Sequence, residues 1–364
     1  MSRKRPPEQS EAQTRRAHVV LPLLCLVLLI VAVGSLFVGR YAINIPQFLS
    51  SLGHFPESLG HIRESIAEII KNGNLAEVSS EERVLFWMRP PRVLSALLIG
   101  GALGVAGAAF QGMFRNPMVS PDLLGASAGA GFGAACAMLF SAPVVFITGS
   151  AFLGGLVAVF LTYLIALSVG KGTPGITVLV LAGVVISALF QGCISITKIL
   201  ADPYTQLPGI TFFLMGSLSS VEWKDVVTLA IPIGVGVIVL YLLRWRINLL
   251  ALKDDEAQSL GMNTNRIRGV VIVCATLITA VSVAVSGMIG WVGLVIPHFM
   301  RMIVGPDHRW LLPASFLGGA IYLVIMDDLA RGLTAMEIPI GILTALIGAP
   351  VFIVLLLRYK GGWD

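Results

Sequence analysis

The chain has 364 residues, of which 56% are hydrophobic and only 12% charged, with a formal net charge of +5. A soluble domain carries about 25% charged residues, so this composition, with a mean hydropathy of +0.88, excludes an ordinary soluble fold. Lipid is the solvent for most of the chain, which predicts one integral membrane domain over residues 19–358.

Residues 1–18 form a basic tail (Arg3, Lys4, Arg5, Arg15, Arg16) that an apolar run follows directly. Basic residues placed there read as a topology signal and not as a nucleic-acid contact. The run 19–38 is as long as a full span, where a signal-peptide core has about 7–15 residues. No A-x-A site follows it, so it is expected to stay as the first span.

A helix needs about 20 apolar residues to cross the hydrocarbon core. That rule places ten spans, at 19–38, 93–113, 123–140, 144–169, 176–199, 226–243, 269–290, 292–304, 311–330 and 339–357. The predicted fold class is therefore all-α, a polytopic membrane protein with about ten transmembrane helices per subunit. The eighth span is short and holds Pro297 and His298, so it is expected to be broken or re-entrant. With ten spans both termini, including the tail 359–364, lie on one side. Putting them in the cytoplasm leaves 16 Lys and Arg inside and 9 outside, as the positive-inside rule requires.

The loop 40–92 would then be outside. Leu59, Ile62, Ile66, Ile69 and Ile70 recur in it at helical spacing between charged residues, which predicts an amphipathic surface helix. In the second span Gly100, Gly104, Ala108 and Gly112 fall at intervals of four, and Gly125, Gly129 and Gly133 do so in the third. Such stripes let helix backbones approach closely, as packing in lipid requires. A repeat is also suggested. Arg92 and Arg268 each open a span, and Pro174 and Pro339 each stand nine residues before a glycine, Gly183 and Gly348. Five spans separate the units, an odd number, so the repeat would be inverted.

The chain has no G-x-x-x-x-G-K-[ST] loop for ATP, no H-E-x-x-H, no nucleophile elbow and no clustered metal ligands. An intramembrane enzyme would need a polar catalytic cluster, and an ion-coupled secondary transporter a carboxylate in mid-span. Neither is found, because the carboxylates lie near span ends or in loops. The four cysteines (Cys25, Cys136, Cys193, Cys274) sit in apolar runs without a C-x-x-C pair and are expected as packing residues. A lone His298 is expected to make a structural polar contact.

Three connecting segments stand out. At 111–131 the chain turns through Arg115-Asn116-Pro117 and Pro121-Asp122, with Asp122 placed to cap the next helix. At 252–268 lies the one substantial inner loop. Asp254, Asp255 and Glu256 suit a helix start there and Gly261 suits its stop, so the loop presents a short helix to a soluble partner. At the outer ends stand Arg89, Arg92, Asp327, Asp328, Arg331 and Glu337, with Asp328 and Arg331 spaced for a local ion pair.

Four strings in their order carry a resemblance: RPPRVLSALLIGGALGVAGAAFQGMFRNPMVSPDLLGASAGAG, FFLMGSLSSVEW, GMIGWVGLVIPHFMRMIVGPDHRWLLPASFLGGA and EIPIGILTALIGAPVFIVLLL. The chain resembles the FecCD-type permease family of ABC importers, which includes the cobalamin, haem and ferric-siderophore permeases. The resemblance covers nearly all of residues 83–358. It departs at Arg89-Pro90-Pro91-Arg92, where the family usually has R-L-P-R, and in a longer preceding loop.

What the resemblance implies is a permease of ten helices working as a pair, a homodimer before a heterodimer, in the bacterial inner membrane. It would contact membrane lipid and no nucleic acid. A separate dimer of ABC ATPase subunits would use ATP-Mg, the chain itself binding no cofactor or metal and having no catalytic residue. The helix with Asp254, Asp255, Glu256, Ala257, Leu260 and Gly261 is similar to the coupling helix that docks on the ATPase. Arg89, Arg92 and Arg331 are similar in position to arginines that meet carboxylates of a periplasmic substrate-binding protein. Uncharged residues such as Gln111, Met113, Ser187 and Gln191 would line the path. A ferric siderophore is the first expected cargo, with haem, cobalamin and molybdate as alternatives.

Overall fold

The structure, a computed structural model, describes residues 7–39, 83–170, 175–334 and 336–358. The amphipathic stretch expected around Leu59–Ile70, the tail 1–6, Pro174 and the tail 359–364 lie outside the described residues.

Thirteen α-helices make up the described chain, with no strand among the described residues. They are α1 (Pro7–Ser35), α2 (Arg89–Phe114), α3 (Ala126–Leu139), α4 (Val144–Val169), α5 (Ile176–Leu200), α6 (Gln206–Met215), α7 (Trp223–Leu242), α8 (Arg244–Leu250), α9 (Asp254–Ser259), α10 (Thr264–Ser286), α11 (Val292–Val304), α12 (His308–Gly332) and α13 (Ile340–Arg358). A π-helical stretch, Arg83–Met88, leads into α2, and a 3-10 turn, Pro121–Leu124, leads towards α3. Each of the ten expected spans is found as a helix, and seven helices are long and apolar enough to cross a membrane. The ten-residue helix α6 was not expected, being half the length the span rule looks for.

Local chemistry fixes the helix ends. Pro90 and Pro91 fill the first turn of α2, where no backbone N–H is needed. A reciprocal Glu222–Asp225 capping box starts α7, and the side chains of Asn263 and Asp307 cap α10 and α12. Asp122 does not cap α3 as expected. Gly125 occupies the N-cap, and the Asp122 carboxylate instead accepts the Ser127 hydroxyl.

α2 and α10 are the most buried spans, with the other long helices around them. Lipid gives helices no hydrophobic reason to associate, so close backbone contact must hold them. The small-residue stripe of α2 is a groove for α12 along its whole length. A Cβ at Gly100 would lie 2.3 Å from the Gly319 carbonyl oxygen, and one at Gly104 2.3 Å from that of Ser315. One at Gly112 would lie 2.4 Å from the His308 ring. Gly129 and Gly133 serve in the same way against Gly154 and Ser150 of α4.

The repeat is real. Helices α2, α3, α4 and α5 have 26, 14, 26 and 25 residues, and α10, α11, α12 and α13 have 23, 13, 25 and 19. Packing is exchanged between the units: α4 lies on α10 as α12 lies on α2, and α3 on α10 as α11 on α2. The two marked glycines have equivalent tasks. Gly183 of α5 receives Leu123 in the turn before α3, and Gly348 of α13 receives Trp291 in the turn before α11. The units are inverted, because α2 ends where α10 begins: Arg115, just past α2, and Arg268, in the first turns of α10, hold the same carboxylate of Asp254.

α11 is short, as expected, but it is unbroken across Pro297. Proline removes the N–H that would bond the Gly293 carbonyl four residues earlier. That oxygen faces Gly107 of α2 instead, at 1.9 Å from where a Cβ would be. The helix continues because its neighbour offers a glycine at the released group.

Candidate functional site

The bundle has two charged ends. At one, α8 and α9 follow α7 and lead into α10. α9 has six residues, with Asp254, Asp255 and Glu256 in its first turn, where the helix dipole favours anions. Gly261 stands past its end at φ +78°, a left-handed position that glycine takes without strain. Ala257 and Met262 are buried beneath the helix, while Asp255, Glu256, Gln258, Ser259 and Leu260 face outward. Leu260 is 63% exposed, a large apolar side chain in a polar loop.

Asp254 behaves differently from its acidic neighbours. Arg268 donates to both of its oxygens, at 3.0 and 2.7 Å, and Arg115 donates at 2.8 Å. Arg115 also donates through Nε to the Leu250 carbonyl at the end of α8, at 2.8 Å. The hydrogen bonds from Arg268, helped by Arg115, hold the Asp254 carboxyl below its ordinary range against partial desolvation. Of the six expected coupling residues, then, Asp255, Glu256, Leu260 and Gly261 are exposed, Ala257 is a buried contact, and Asp254 is engaged with the bundle. Sequence reading missed Arg115 and Arg268 as its partners. The available signal was that each stands at the inner end of a span, on the side where the acidic loop lies.

A second polar group lies nearby, where α8 meets the start of α12. Asn248 Nδ2 donates to Asp307 at 2.7 Å, and its oxygen accepts the His308 backbone N–H at 2.9 Å. The His308 ring lies between Asn248 Oδ1, at 2.6 Å, and the Ala108 carbonyl, at 3.2 Å. This joins α8, α12 and α2 into one block behind α9.

The other end carries the three arginines expected to face outward, and here the expectation is corrected. Arg89, Arg92 and Arg331 are 5%, 9% and 5% exposed. Arg92 Nε donates to Asp327 at 2.8 and 3.0 Å, and its Nη1 donates to Glu337 at 3.1 Å. Arg331 pairs with Asp327 at 3.5 Å and with Asp328, as the local-pair reading expected, and donates to the Ser35 carbonyl at 2.8 Å. Arg89 donates to the Leu36 carbonyl at 2.6 Å. Burial of these cations is tolerated because carboxylates and carbonyls from α1, α12 and the 333–339 loop surround them. No free basic patch is formed by the three.

The four expected path residues are not brought together. Gln111 is fully buried, donating to the Leu294 carbonyl at 3.0 Å and accepting from Arg301 at 3.3 Å. Met113 is buried beside it in the core. Both are therefore helix-packing residues, which corrects the expectation. Ser187 is half-buried and Gln191 exposed, on α5. α5 shows a large apolar surface that includes Leu181, Val185 and Leu189. His298 is buried with its ring 6.2 Å from that of Phe352. All four cysteines are free, and Cys25 is exposed rather than packed. Among the described residues no three His, Cys, Asp or Glu side chains converge as metal ligands would.

The chain matches the model of the FecCD transport family over residues 25–358. It is 38% identical to the molybdate import system permease protein MolB of Haemophilus influenzae over 341 residues, 93% of this chain and 95% of that one. It is 39% identical to the hemin transport system permease protein HmuU of Yersinia pestis, covering 75% of this chain and 83% of that one. Among solved structures, an inward-facing metal-chelate type ABC transporter aligns with a TM-score of 0.81 at 36% identity, covering 93% of this chain and 99% of that one.

Proposed function

The chain belongs to the FecCD transport family, and on that premise we propose that it imports a metal chelate, a ferric siderophore first of all, across the bacterial inner membrane. It is the membrane-spanning permease of an ABC importer, and ATP is hydrolysed on a separate subunit. The observation that carries the reading is α9: a short helix with exposed acids in its first turn and an exposed Leu260 just past its end, seated on two buried supports, Ala257 and Met262. That is the form of a docking element, held to the bundle on one side and offered outward on the other.

In this reading α9 and both chain ends face the cytoplasm, as the distribution of Lys and Arg favours. A dimer of ATPase subunits with ATP-Mg closes beneath two copies of the permease, here two identical chains. Closure pushes each α9 and rocks the helices behind it. A periplasmic binding protein delivers the chelate at the Arg92 end, and the cargo passes between the subunits along uncharged surface such as that of α5 near Ser187 and Gln191. Large, partly apolar chelates suit an uncharged wall, and the likeness to a hemin permease and a metal-chelate transporter supports that class of cargo.

The test is reconstitution with the ATPase and binding protein of the same source, measuring uptake of labelled ferric siderophore, haem, cobalamin and molybdate. ATP-dependent uptake of the siderophore, lost in Leu260→Arg while the protein stays folded, is expected. Uptake of one of the other three alone keeps the importer and replaces the cargo. Uptake driven by an ion gradient without the ATPase overturns the proposal in favour of a secondary transporter.

A further inference from the structure

We propose that Asp254 is a positioning residue: it latches α9 to α2 and α10 through Arg115 and Arg268, so that movement imposed on α9 reaches both inverted units at once. The inference rests on α9 being the docking element proposed above. Asp254 is the first residue of α9, and its carboxylate is spent on three N–H donors from two arginines. It is therefore turned to the bundle and not to a partner. Arg115 stands just past the last residue of α2, and Arg268 in the first turns of α10. These are the leading helices of the two units, met at opposite ends because the units are inverted.

One further contact makes the junction stiff. Arg115 holds the Leu250 carbonyl as well, so the end of α8 and the start of α9 are fixed to the same guanidinium. A guanidinium that bonds two fixed acceptors has little freedom to rotate away. Helices α2 and α10 each carry the displacement some 35–40 Å to the other end, at about 1.5 Å per residue. There α2 delivers it to the Arg92–Asp327–Glu337 pairs. α10 delivers it to the strap at Ser217, whose N–H bonds the Ser286 carbonyl at 2.8 Å. Asp255 and Glu256, one and two residues on, make no such link and stay exposed for the partner. The acidic run thus divides: one carboxylate faces the bundle and two face out.

Hydrogen–deuterium exchange of the intact permease–ATPase complex in lipid nanodiscs reads this without a cargo. In the wild type, adding a non-hydrolysable ATP analogue is expected to protect 252–262 and to change exchange at 86–95 and 282–290, the far ends of α2 and α10. In Asp254→Asn and in Arg268→Gln, protection of 252–262 should remain while the far-end response falls roughly fivefold or more, as for sites whose coupling is broken. The double variant should be no worse than either single, and Arg268→Lys should recover part of the response. Unaltered exchange in the rest of the bundle shows that the variants fold. A far-end response that persists in both single variants, or is missing from the wild type while 252–262 is protected, overturns the latch and leaves the docking reading intact. No protection of 252–262 in the wild type overturns the docking reading itself, and the latch with it.

Discussion

At the Arg92 end, Arg92 and Arg331 close on the carboxylates of Asp327, Asp328 and Glu337, with both arginines and the Asp327 between them almost wholly out of solvent. At the Asp254 end, two arginines grip one carboxylate whose side chain is 43% exposed. The two groups use the same residue types and similar distances. Their surroundings make them different devices. A buried pair loses its partner at great cost, because the charge left behind has no water to turn to. A pair at the water boundary adds little to stability, so it can link moving parts without deciding whether the bundle folds. One end holds the bundle together, and the other is free to transmit.

The largest effect should come from Asp327→Ala, which leaves Arg92 and Arg331 in a closed site with one carboxylate fewer. A loss of about 3–5 kcal/mol is expected, seen as poor yield and a lowered melting temperature in nanodiscs. Gly319→Ala comes next. Its new methyl would press on the Gly100 carbonyl at 2.1 Å, and overpacking of this kind costs about 1–3 kcal/mol, measured in the same melting assay. Asp254→Asn should cost about 1 kcal/mol or less, since a half-exposed pair is screened by water. A loss as large as that of Asp327→Ala would remove the distinction between the ends. The smallest effect concerns pH. Asp254 is held below its ordinary range, so its contribution is present above about pH 4 and is lost only as pH falls through the lower folded value. Exchange protection of 252–262 in the complex should therefore not change between about pH 8 and pH 5 on account of this group. A titration within that window would sharpen the comparison by assigning the loss to another residue.

The spans were legible because their length and apolarity leave the chain no alternative, and the α2 stripe because small residues every four positions have one packing use. α6 was not, since ten residues fall below any length rule for a span. The burial of Arg92 was hidden by distance along the chain: Asp327 stands 235 residues away, and no local pattern announces the pairing. The same holds for Asp254 and Arg115, 139 residues apart. Pro297 misled because its usual effect on a helix was offset by a residue of another helix, Gly107. The site was thus readable as segments, and what stayed hidden was which segment each charge serves.

That last fit has a mechanical consequence. Where side chains meet, one helix can slide over another by a fraction of an ångström as rotamers adjust. At Gly107 and Gly293 main chain meets main chain, and a peptide plane has no rotamers. The seat therefore resists sliding: α11 can travel along α2 only by lifting its backbone off Gly107. A transporter that moves its helices as rigid groups gains from such a lock, and Gly107→Ala, whose methyl would lie 1.9 Å from the Gly293 carbonyl oxygen, should part the two helices.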